Sequence, residues 1–187
     1  MAKPVALSST GSRLFLMEYS DTFPTVLTGE LDCIIDCDVR NVPIETESVK
    51  NRKTGANTYG FTGVDNGDGT IDFYRLVNDG VYAAAGTTTY DKLYSTYKKT
   101  AGKFNNTDNI FYLADITLVD GVENTYEGII VPVSITNVAK TSSGNSIINY
   151  QASLKLQGIP QDVSVTYTPA QGTSSETWTV AKINYES

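Results

Sequence analysis

The segment Glu30-Leu31-Asp32-Cys33-Ile34-Ile35-Asp36-Cys37-Asp38-Val39-Arg40 constrains the fold more than any other stretch of this chain. Leu31, Cys33, Ile35, Cys37 and Val39 alternate with Glu30, Asp32, Asp36 and Asp38, with Ile34 the one exception. Successive side chains of a strand point to opposite faces. The pattern therefore predicts a strand over about residues 26–39, with one face on a core and an acidic face in water. Carboxylates in a row repel, so the ladder costs stability and calls for a use. A second ribbon over residues 146–158 has the same two-faced form. Ile148, Tyr150, Ala152, Leu154 and Leu156 face inward; Asn149, Gln151, Ser153, Lys155 and Gln157 face outward.

Further apolar segments predict strands at residues 5–7, 14–19, 71–77, 110–119 and 126–138, and a C-terminal hairpin within 161–187 around a turn-rich stretch at 169–175. One helix is expected at residues 89–100. Tyr90, Leu93, Tyr94, Tyr97 and Ala101 recur at helical spacing, and Asp91, Lys92, Ser95, Lys98 and Lys99 take the other side. Thr88 and Asp91 approximate a capping box, and Gly102 suits a C-cap. Residues 40–70 are polar and read as one long loop, whose Lys50, Arg52 and Lys53 form the densest basic cluster of the chain. The expected fold class is mainly β: a single domain over residues 1–187, a sandwich or barrel with one flanking α-helix and a long inter-strand loop.

The chain of 187 residues carries no histidine. That removes the commonest general base and most transition-metal sites. Asp36 and Asp38 sit about 7 Å apart on one face, but no aromatic walls surround them, so a glycosidase pair is not expected. The run from Val64 to Asp72 resembles a calcium loop only in part. Val64 and Arg75 occupy the positions where the outer carboxylates belong, so a Gly/Asp/Asn turn is the expected reading. Cys33 and Cys37 are about 13 Å apart at ~3.3 Å per residue, too far for a disulfide, and read as small hydrophobes. No catalytic, metal or cofactor site is assigned. A net charge of −7 argues against a surface that grips nucleic acid or an anionic membrane. No apolar window is long enough for a membrane-spanning helix, and the first residues lack a secretory pattern, so synthesis in a cytosol is expected.

The order of elements resembles the major tail tube protein of long-tailed bacteriophages. The polar-out strand runs into a loop that opens Ile44-Glu45-Thr46-Glu47-Ser48. After the helix and three more strands, the layout closes on Leu154-Lys155-Leu156-Gln157-Gly158-Ile159-Pro160. The resemblance spans about Leu27 to Pro160. It implies a structural, non-enzymatic virion protein that forms six-membered rings stacked into a hollow tail tube for DNA delivery into the host. Implied partners are further copies of itself, a tape-measure protein inside the tube, and terminator and distal tail proteins at its ends; DNA passes without specific binding. On this resemblance Glu30, Asp32, Asp36 and Asp38 would line the lumen, with Asn149, Gln151 and Ser153 as weaker candidates. An acidic wall keeps DNA off the surface within a Debye length of ~8 Å. The alternative is an ordinary solvated sheet face. Glu45, Glu47, Lys50, Arg52 and Lys53 would lie on a loop that reaches the next ring; the alternative is a solvated tip. Other readings are a secretion-system tube protein, an unrecognised hydrolase, or a carbohydrate- or protein-binding β-sandwich module. The module would need an exposed aromatic platform, and the lone Trp178 is expected to pack instead.

Overall fold

A computed structural model describes residues 11–40, 46–50, 57–61, 67–74, 77–78, 81–82, 88–100, 110–141 and 148–184. The expected strand at residues 5–7 and the C-cap at Gly102 lie outside them. In chain order the strands are β1 (Ser12–Glu18), β2 (Val26–Leu27), β3 (Glu30–Leu31), β4 (Ile34–Arg40), β5 (Thr46–Lys50), β6 (Asn57–Phe61) and β7 (Asp68–Tyr74). The short β8 (Val77–Asn78) and β9 (Val81–Tyr82) precede the helix α1 (Thr89–Thr100). Then follow β10 (Phe111–Leu118), β11 (Thr125–Lys140), β12 (Asn149–Leu156), β13 (Gln161–Thr168) and β14 (Thr177–Lys182).

Ten strands form one antiparallel sheet that branches at β11. One arm runs β2-β14-β13-β11-β10-β1-β3, and the other runs β11-β12-β7-β4. The branch is possible because β11 is 16 residues long and changes partner along its length. Thr125 to Ile130 pair with β13, whereas Val133 to Lys140 pair with β12. The chain turns from β12 into β13 at Gly158-Ile159-Pro160. A side chain at Gly158 would meet the Pro132 ring at 2.7 Å, and the Gln157 N–H donates to the Pro132 carbonyl at 2.7 Å. The Gly-x-Pro close of the ribbon is thus a corner pressed against β11.

β1 and β10 carry nearly unbroken apolar runs because both of their faces are buried. Leu14 and Leu113 enter one core with Ile71, Phe73, Val133, Leu154 and the helix residue Leu93. Phe15, Ala114 and Ile116 enter a second core with Val163, Val165, Leu27 and Trp178. The first core is covered by β4, β7, β12 and α1, and the second by β13, β14 and β2. The result is mainly β and sandwich-like, and among the described residues the sheet does not close into a barrel.

Two expectations change. The strand expected over residues 26–39 is broken into β2, β3 and β4. β2 pairs with β14, β3 with β1 and β4 with β7, so one segment serves three different neighbours and must bend sharply between β3 and β4. Cys33, in the left-handed region at φ 60°, and a bulge between Ile34 and Asp36 supply that bend. The bulge turns Ile34 onto the core and leaves Ile35 52% exposed, so Ile35 and not Ile34 departs from the alternation. The expected long loop over residues 40–70 also contains structure. β5 and β6 pair as a hairpin, and β7 already begins at Asp68. Thr46, Val49, Thr58, Tyr59 and Phe61 supply enough β-branched and aromatic character for two short strands within a polar composition.

Candidate functional site

The arm β11-β12-β7-β4 has one buried and one polar face, and its register shows which residues share the polar one. Asp36 lies opposite Asp72, and Asp72 opposite Gln151. The next row is Asp38, Thr70, Ser153 and Asn137. Arg40, Asp68, Lys155 and Ser134 form a third. Asn149 continues the β12 side of this face. Asp36, Asp38, Asn149, Gln151 and Ser153, drawn from two distant segments of sequence, therefore stand on one surface, with β7 between them. β7 adds Asp68 and Asp72, which sequence reasoning missed; the Asp68, Thr70, Asp72 alternation was the available signal.

Compensation on this face is partial. Gln151 Nε2 donates to Asp72 Oδ1 at 2.9 Å, and Lys155 pairs with Asp68 at 3.2 Å. Asp36 and Asp72 remain directly opposed carboxylates, an arrangement that destabilises a sheet. Asp36 Oδ1 accepts the backbone N–H of Cys37 at 2.9 Å.

Glu30 and Asp32 are employed elsewhere. Glu30 pairs with Arg13 at 2.7 Å. Asp32 holds the start of α1: its Oδ1 accepts the Thr89 N–H at 3.2 Å, and the Thr89 hydroxyl lies 2.6 Å from Oδ1 and 2.7 Å from the Asp32 carbonyl. Lys92 Nζ adds a bond to the Glu30 carbonyl at 2.8 Å. The first N–H groups of a helix have no partner within it, and a carboxylate there also meets the positive end of the helix dipole. Within the helix, Thr88 and Asp91 form the expected box, with Thr88 Oγ1 donating to Asp91 Oδ2 at 2.8 Å. Asp32→Ala should cost about 1–2 kcal/mol, comparable to losing an N-cap, with part of the helical circular dichroism lost before the sheet melts. An unchanged denaturation midpoint would mean that the Thr88–Asp91 box holds α1 alone.

Beside β4 the fold leaves a cleft of about 550 Å³, because β3 pairs with β1 for only two residues and β4 turns away. Its wall includes Leu14, Ile34, Ile35, Asp36, Cys37 and Asp115. Asp115 was not singled out from sequence, although a lone acid inside the apolar run Phe111-Tyr112-Leu113-Ala114-Asp115-Ile116 was a visible signal. It lies opposite Leu14 and Ile129, half-buried, and makes no hydrogen bond or ion pair among the described residues. Burial, with the Asp36 charge added, raises its carboxyl above the usual carboxylate range. The same surroundings push the Cys37 thiol far above the ordinary thiol range, chiefly through burial. A carboxyl raised in the folded state favours folding in its protonated form, so its contribution is present below the unfolded value of 3.8 and lost as pH rises through the folded one. Asp115→Asn should therefore raise the melting temperature at neutral pH, and that gain should shrink to nothing as the pH falls below 3.8. Melting curves across this range check the sign.

Of the residues assigned to the long loop, Glu47 and Lys50 lie on β5. Glu45, Arg52 and Lys53 lie outside the described residues. Among the described residues β5 and β6 pair only with each other.

Among the described residues both outer strands of the arm are open. Among the described strands β4 pairs only with β7, and β11 beyond Thr136 pairs only with β12. Thr136, Asn137, Ala139 and Lys140 are exposed. No protein-family model and no curated protein matches the chain. Among solved structures it is similar to the SPP1 tail tube, determined by solid-state NMR and cryo-electron microscopy, over 83% of this chain and 78% of that one, at 10% identity and a TM-score of 0.48.

Proposed function

We propose that the chain is a phage tail-tube subunit: copies join edge to edge into hexameric rings, and the rings stack into a channel for DNA delivery into the host. The observation that carries this reading is the four-stranded arm, open at β4 on one side and at β11 on the other, with an acidic face between. Four antiparallel strands are an even number. β11 of one copy therefore runs antiparallel to β4 of the next, and the sheet continues without a fault in polarity. Such a head-to-tail contact generates a ring when its rotation closes. Ring closure also removes open edges that would otherwise template aggregation.

In that ring the polar face lines the channel. Asp36, Asp38, Asp68 and Asp72 face the lumen beside Asn149, Gln151 and Ser153, with Lys155 engaged by Asp68 and Arg40 opposite Asp68 in the same row. Basic residues there would bind passing phosphates through counterion release; carboxylates keep DNA in solution. The β5–β6 hairpin, bearing Glu47 and Lys50 and with Arg52 and Lys53 between its strands, is the arm to the next ring. An isolated two-stranded hairpin is marginal in water and gains from a partner. The tape-measure protein fills the channel before ejection, and terminator and distal tail proteins close its ends in the virion. The subunit does no catalysis.

Electron microscopy of the purified chain tests this reading. Rings or tubes with the Asp38 and Asp72 face on the inside are expected. Uniform monomers, or tubes with that face outside, would defeat it.

A further inference from the structure

The buried face of the same arm ends in a charge that has no ion pair among the described residues. Its rows run Ile34, Phe73, Tyr150, Lys140 and, next, Cys37, Ile71, Ala152, Val138. Lys140 thus lies on the core side of the sheet, at the open end of β11 and in the row that starts at Ile34. It is exposed and has no ion pair among the described residues. At the other end of that row the cleft beside Ile34 holds Asp115, also on the core side because it shares its face with Leu14 and Leu113. Among the described residues one molecule therefore has an unmatched cation at one edge and a half-buried, unmatched carboxylate at the other, on the same face.

Antiparallel pairing brings the start of one strand opposite the end of its neighbour. A join of β4 to β11 therefore sets Ile34 and Ile35 of one copy beside the last residues of β11 of the next. We infer that Lys140 of one copy enters the cleft of its neighbour and pairs with Asp115, so that the partner recognised at this edge is a second copy in one register. This rests on the edge-to-edge reading above and adds to it the contact that sets the register. A shift by one residue would carry Lys140 to the polar face and leave Asp115 buried without a counter-charge. The nearby charges do not compete for Lys140 equally. Glu30 is held by Arg13, and Asp32 by the start of α1; Asp36, on the adjoining β4 edge, adds to the attraction. Arg13, the cation that already lines the cleft, is engaged by Glu30, and Cys33 and Cys37, which line it too, are kept neutral thiols chiefly by burial.

The test measures association of the full chain by sedimentation velocity and light scattering over a range of concentrations. Lys140→Glu and Asp115→Asn should each weaken association about tenfold or more, and the two together should cost little beyond either alone. Lys140→Glu combined with Asp115→Lys should restore it. Asp115→Asn gives the decisive contrast, since it should stabilise the isolated subunit at neutral pH while weakening assembly; a merely structural residue would move both in one direction. Wild-type assembly with both single variants unimpaired would overturn the pair and leave the polymer reading standing. A wild-type chain that stays monomeric at every concentration would overturn both.

Discussion

Gly128→Ala should strip the chain of a large part of its stability, at about 3 kcal/mol or more. Gly128 lies on β11 opposite Ile116 of β10. A Cβ at this position would stand 2.0 Å from the Asp115 carbonyl oxygen and 2.8 Å from the Ile116 Cα. Both obstacles are backbone, locked between β1 and β11 in the middle of the sheet, so no side-chain rotation relieves the clash. β10 and β11 would have to part where the two cores share their wall. For a domain of this size the loss corresponds to a fall of roughly 6–12 °C in melting temperature. Calorimetry checks it, and an unchanged midpoint would show that the two strands are not in this close register. Gly121→Ala is a contrast and not a neutral control: a side chain there meets nothing within 4 Å, but φ is 76°, so its smaller cost would report backbone strain without a clash.

Trp178→Ala should cost about 3–5 kcal/mol. Trp178 is 6% exposed and anchors the second core. Its ring meets Phe15 edge-on at 5.2 Å and Tyr126 at 5.0 Å, and Tyr167 lies at 4.4 Å. The Arg13 guanidinium covers it at 6.0 Å. Truncation would leave a cavity lined by residues of β1, β11 and β13 that cannot collapse together. Urea unfolding followed by circular dichroism should show a lower midpoint with an unchanged slope, and Trp178→Phe should recover much of the loss. A Trp178→Ala chain as stable as wild type would put this residue outside the core. The burial also bears on the binding-module reading, which needed an aromatic platform: the one tryptophan faces inward.

Elements were legible where their pattern is a property of a short segment. The helix covers Thr89–Thr100 as its periodicity indicates, and its Thr88–Asp91 box forms. The β12 ribbon keeps its faces from Tyr150 inward to Lys155 outward, whereas Ile148, expected inward, precedes the strand and is 43% exposed. The candidate site was legible by halves. Alternation placed Asp36 and Asp38 on one polar surface and Gln151 and Ser153 on another. It carried no information that β7 joins them into one, because the pairings of β7 reach residues 28–39 positions away on β4 and 75–87 positions away on β12. Glu30 and Asp32 show the converse. They continue the acidic alternation in sequence, yet the bend at Cys33 takes them off that face and gives them to Arg13 and to the start of α1.

The pleat and the helical repeat belong to the local backbone, so the order of amino acids alone settled the helix, the β12 ribbon and most of the longer strands with their apolar sides, but not the β5–β6 hairpin or the break within residues 26–39. Neighbour choice depends on long-range packing instead. The split of β11 between β12 and β13, the corner at Gly158, the opening beside β4 and the stranded Asp115 exist only once two cores have formed on opposite faces of β1 and β10. No short window of the chain contains that geometry, since each of these features is made by segments that meet only in the folded molecule.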